Sequence, residues 1–70
     1  MMMGKVIAAE GNAILRRREV ERLTGLSRST IYRLMEAGSF PRQHKLSVGA
    51  VGWMQAEISN WIESRPPVHT

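Results

Sequence analysis

The chain has 70 residues, with 10 Lys or Arg against 6 Asp or Glu for a net charge of +4, and no cysteine. That length supports one domain near the lower limit for an unassisted hydrophobic core, so an internal two-substrate active site is not expected. Without cysteine there is neither a disulfide framework nor a thiolate metal site, a composition that suits a reducing, cytoplasmic compartment.

Residues 1–12, MMMGKVIAAEGN, contain an apolar run of only four residues, Val6 to Ala9. A signal peptide or membrane span needs far more, so no membrane association is expected. The segment reads as a flexible arm with a turn at Glu10-Gly11-Asn12, ahead of a folded domain over 13–65 and a short tail over 66–70.

Ile14 and Leu15 form a short apolar pair that fits either an edge strand or the lead-in to a helix. From Arg17 or Arg18, the run REVERLTG puts Val20 and Leu23 three apart, on one face of a short helix with the charges on the other. Gly25 stops that helix, because glycine takes the left-handed conformation a helix C-terminus requires. Leu26 is placed to fill the gap before the next helix, and Ser27 is a strong N-cap. The second helix runs to about Ala37, with Gly38 as its stop. Two short helices joined by a tight turn make a helix-turn-helix.

At 100° per residue the second helix sorts into two faces. Ile31, Leu34 and Met35 fall on the side that must meet a core. Arg28, Ser29, Tyr32, Arg33 and Glu36 lie on the flank or opposite side, with Thr30 at the other border. That outer face is built of side chains able to bond phosphates and base edges.

After Phe40-Pro41 the pattern changes. The runs HKLS (44–47) and VGWM (51–54) flank Val48-Gly49-Ala50 and read as a hairpin. AEISNWIESR then places Ile58, Trp61 and Ile62 at i, i+3 and i+4 of a third amphipathic helix, which Pro66-Pro67 ends. The fold expected is mostly α with a small β-hairpin: a winged helix-turn-helix of three short helices and a two-stranded wing. Trp53 and Trp61 are expected to supply most of the aromatic core, since so small a domain needs their buried area.

The charge is unevenly spread. Between Ile14 and Lys45 lie eight basic residues against three acidic ones, whereas the rest of the chain holds two against three. A concentrated arginine-rich zone can bind a polyanion, because each phosphate contacted releases condensed counterions. His44 and His69 are far apart and lack Cys or acidic companions, so no metal site is expected. The hydroxyls of Ser27 to Thr30 have no His-Asp arrangement to activate them, and the five methionines mark no cofactor site, so neither catalysis nor a cofactor is expected.

The run from Ile14 to Arg65 resembles the AlpA family of prophage regulators, relatives of the MerR-like DNA-binding domain and of small phage excisionases. Its most specific pieces are TGLSRSTIYRL, the Phe-Pro after that helix, AVGW, and the E-I-x-x-W-I of the last helix. The resemblance implies a DNA-binding protein that regulates transcription or assists excision of an integrated element. Its recognition helix, Arg28 to Ala37, would enter the major groove of double-stranded DNA, and a wing at Val48 to Ala50 would reach a neighbouring phosphate or the minor groove. Relatives commonly carry a basic residue just before AVGW. Here Gly49 stands there, so the wing is expected to offer shape and backbone amides.

The contact set expected on these grounds is Arg28 and Arg33 first, then Ser29, Thr30 and Tyr32, with Ser27 at the cap, Arg17 and Arg18 on the first helix, and Lys45 and Gly49 in or near the wing. Two alternatives stay open. One is an excisionase, or recombination directionality factor, that bends DNA and contacts an integrase. The other is a protein-interaction module whose third helix docks on an integrase or RNA polymerase. MerR-type proteins usually dimerise through a long helix after the winged domain, whereas Pro66-Pro67 follows the third helix at once here. The free protein is therefore expected to be a monomer that loads several copies on DNA.

Overall fold

The computed structural model describes residues 13–68. The expected N-terminal arm and His69 lie outside them. In chain order the elements are β1 (Ile14–Leu15), α1 (Arg17–Thr24), α2 (Arg28–Glu36), β2 (His44–Ser47), β3 (Ala50–Met54) and α3 (Gln55–Glu63). This is the expected winged helix-turn-helix, with one addition: β1 joins the hairpin to make a three-stranded antiparallel sheet in the order β1-β3-β2. Ile14 pairs with Met54 and Leu15 with Trp53.

Local chemistry sets the helix ends. Gly25 stands at φ 75° and its N–H donates to the Glu21 carbonyl at 2.8 Å, closing α1. The Thr24 hydroxyl donates to the Val20 carbonyl at 2.7 Å and accepts from the Leu26 N–H at 3.2 Å, which fixes the turn between the helices. Ser27 Oγ accepts the Thr30 N–H at 3.3 Å and starts α2. At the other end the Gly38 N–H donates to Met35 and the Ser39 N–H to Leu34, at 3.0 and 2.8 Å. With Gly38 at φ 75° this is a Schellman motif that consumes two free carbonyls.

The core is Leu15, Val20, Ile31, Met35, Phe40, Trp53 and Ile58, with Leu26, Tyr32, Leu34 and Trp61 packed partly against it. Three expectations shift here. Leu23 shares a helix face with Val20 but is 44% exposed, since α1 ends one residue later and its last turn sits at the rim of the core. Ile62 is likewise at the surface. Trp61 is only partly buried, and Phe40, which meets it edge-on with ring centroids 4.7 Å apart, is the second buried aromatic beside Trp53. The two indoles share a further task. Trp53 Nε1 donates to the Pro41 carbonyl at 2.9 Å and Trp61 Nε1 to the Ser39 carbonyl at 2.7 Å. The segment leaving α2 is thus held to β3 and α3.

Gly52, in the central strand, is buried beneath two aliphatic side chains. A Cβ added there would lie 2.7 Å from Ile14 Cγ2, 3.0 Å from the Leu15 carbonyl oxygen and 3.2 Å from Leu46 Cδ1. The close backbone oxygen cannot turn aside as a side chain can. Gly52→Ala is expected to destabilise the domain by about 1–3 kcal/mol, the usual cost of overpacking. Urea unfolding checks this, and an unchanged midpoint would mean that β1 moves away without loss.

Candidate nucleic-acid interface

On α2 the outward side is set by where Ile31 and Met35 are buried. Arg28, Ser29 and Arg33 are exposed, and Thr30 and Tyr32 are half-buried at the two flanks. The hydroxyls at the helix start are engaged with one another. Besides capping, Ser27 Oγ donates to Thr30 Oγ1 at 3.0 Å and stands 3.5 Å from Ser29 Oγ. Serine 27 therefore has a structural task that accounts for its presence, whatever it touches in addition.

Beside the Tyr32 flank lies a cavity of about 280 Å³, lined by Arg16, Arg17, Arg18, Tyr32, Gly49 and Val51. Three elements converge on it. The start of α1 brings the arginines, α2 the phenol, and the wing turn Gly49, whose φ of 78° lets the chain reverse over the two residues Val48 and Gly49. The Glu19 N–H donates to the Arg16 carbonyl at 3.0 Å, but the amides of Arg17 and Arg18 have no acceptor within the helix, so their partial positive charge adds to that of the side chains. The cavity is therefore suited to an anion.

The three arginines differ in their freedom. Arg17 is ion-paired with Glu21 one turn along α1. Arg16 and Arg18 have no acidic side-chain partner among the described residues. The Arg16 backbone N–H is received by the Glu19 carboxylate at 3.4 Å, half of a capping box, which offsets part of the cost of starting a helix on arginine.

Of the expected contact set, the fold brings Arg17, Arg18, Tyr32 and Gly49 into this one cavity. It places Arg28 against Tyr32, with the guanidinium carbon 5.7 Å from the ring centroid. Arg33 stands apart on the outward side of α2, and Lys45 is exposed on β2 opposite Val51. Arg16 and Arg22 belong with Arg17 and Arg18 to the first-helix arginines, of which one or two were expected to touch phosphates, and the expected set took Arg17 and Arg18; the fold adds Arg16 to the cavity lining. His44 faces away from this work: its Nε2 is 3.0 Å from a Glu57 carboxylate oxygen, tying β2 to α3.

A helix-turn-helix backed by a three-stranded winged sheet, with a cationic cavity where the first helix, the second helix and the wing meet, defines the class: a small winged helix-turn-helix domain. Residues 13–66 match the family described as the prophage CP4-57 regulatory protein (AlpA), and the chain belongs to that family. It is 47% identical over 51 residues to an uncharacterized protein, ORF88, of Enterobacteria phage P4, an alignment covering 73% of this chain and 58% of that protein. It is 40% identical over 58 residues to the DNA-binding transcriptional activator AlpA of Escherichia coli (strain K12), covering 74% of this chain and 83% of that protein.

Proposed function

We propose that this chain is a sequence-specific DNA-binding regulator of transcription encoded by a prophage or other integrated element, and that it works at the nucleoid in the cytoplasm. The observation that carries the reading is the cavity of Arg16, Arg17 and Arg18 beside the polar face of α2. A phosphate seated there would hold the duplex backbone while α2 lies in the adjoining major groove, Arg28, Ser29 and Arg33 toward the bases. The relative from Escherichia coli, described as a DNA-binding transcriptional activator, supports the same assignment.

The test begins with a duplex selected from a random-sequence pool by the wild-type protein. Fluorescence anisotropy on that duplex and on an unrelated one, across a range of salt, should show preference for the selected site. It should also show log affinity falling linearly with log salt, at about 0.9 per phosphate contacted. Binding without salt dependence, or without preference between the two duplexes, would overturn the assignment.

Arg33→Ala should weaken binding to the selected site by about 1–3 kcal/mol and relax preference at one base pair, as loss of a bidentate arginine–guanine contact does. Equal weakening on both duplexes would reassign Arg33 to a phosphate.

A further inference from the structure

Tyr32 belongs to both halves of this interface. Its side chain lines the arginine cavity, and one face of its ring carries the guanidinium of Arg28, 5.7 Å from the centroid. The pairing follows from helix geometry. Side chains on a helix lean toward its N-terminus, so the residue at i+4 covers the turn that holds residue i. Tyr32 is half-buried and packs against the core, so the ring has a fixed backing, whereas Arg28 is exposed and has no acidic partner among the described residues.

Resting on the DNA-binding reading above, we propose that Tyr32 is a positioning residue for base recognition: it fixes the Arg28 guanidinium relative to the phosphate held in the arginine cavity. The two parts of the side chain do separable work. The ring face restrains Arg28 through a cation–π contact. The hydroxyl is a donor at the cavity, where it adds one hydrogen bond to the same phosphate that the arginines neutralise. An unrestrained arginine at the protein surface samples many rotamers and must lose that freedom on reaching a base edge. One already laid on an aromatic ring has less to lose. Removing the ring therefore reduces discrimination at the base pair Arg28 reads, and removing only the hydroxyl does not.

Three variants separate these roles: Tyr32→Phe, Tyr32→Leu and Arg28→Ala, together with the Tyr32→Leu/Arg28→Ala double variant. Each is titrated against the duplex selected by the wild type, a panel with every base pair of it changed singly, and an unrelated duplex. Thermal unfolding of each variant in parallel identifies any loss of fold, and Leu keeps an apolar side chain against the core. Tyr32→Phe should keep the wild-type ratio between selected and substituted duplexes while weakening all of them alike. Tyr32→Leu should lose preference, by about fivefold or more, at the same base pair where Arg28→Ala loses it. The double variant should discriminate no worse than Arg28→Ala alone.

If the losses from Tyr32→Leu and Arg28→Ala multiply, fall at different base pairs, or if Tyr32→Phe loses as much discrimination as Tyr32→Leu, the positioning role is wrong while the DNA-binding reading stands. If the wild type selects no duplex, the DNA-binding reading fails and the positioning role with it.

Discussion

Trp53→Ala is expected to leave the domain largely unfolded at room temperature. The indole is fully buried and is the largest side chain in a core of seven residues. Truncations of buried aromatics to alanine cost about 3–5 kcal/mol, and a single core in a chain of this size rarely supplies more than about 3–5 kcal/mol in total. The substitution also leaves the Pro41 carbonyl without its donor, which frees the segment leaving α2. Far-UV circular dichroism and a urea titration check this. A cooperative transition near the wild-type midpoint would show that the core does not depend on this side chain. Trp53→Phe separates the two effects, since it keeps most of the buried area and loses the hydrogen bond.

The second large effect concerns the cavity. Replacing both Arg16 and Arg18 by Glu should weaken binding to selected and unrelated duplexes alike and lower the slope of log affinity against log salt by about 2. Each contact contributes a factor of roughly five at physiological salt through released counterions, so the pair contributes roughly twenty-five-fold, and the reversed charges add repulsion. Both side chains lie at the surface and have no acidic partner among the described residues, so stability should barely change. A loss confined to the selected duplex would mean that these arginines read bases. No loss would remove the cavity from the interface.

The parts of this fold that were legible in advance are those fixed within a few residues of chain. Gly25, Ser27 and Gly38 each carry out a local task at a helix end, and the spacing of Ile31 and Met35 settled which way α2 faces. What periodicity gives is direction around a helix, and depth depends on what the neighbouring elements cover. That is why Leu23 and Ile62 lie on apolar faces yet remain at the surface. A two-residue strand has no period at all, so Ile14 and Leu15 became a strand only through pairing with Met54 and Trp53, some forty residues away. Gly52 follows from that same pairing, which brings Ile14 and Leu46 over it.

The site divides in the same way. The polar face of α2 could be read from α2 alone. The cavity could not, because it joins the start of α1 to a turn more than thirty residues later, and only the antiparallel wing brings Gly49 and Val51 back to the arginines. Arg16 gained its place from that juxtaposition. The hairpin pattern and the basic zone pointed to a wing and to a polyanion, and the resemblance to prophage regulators narrowed the polyanion to double-stranded DNA. The residue-level geometry adds the link from the arginine cavity through Tyr32 to Arg28.

The proposed function puts DNA against one face of this domain, made by the start of α1, the outward side of α2 and the wing turn. An amide-resolved NMR titration of the wild-type protein with its selected duplex tests this placement. The large shift changes should fall at residues 16–18, at 28–33 and around Val48 and Gly49, while Glu57, Ser59, Asn60 and Glu63, exposed on α3, stay near their free positions. Shift changes concentrated on α3, with the arginines of α1 and the polar face of α2 unperturbed, would contradict it.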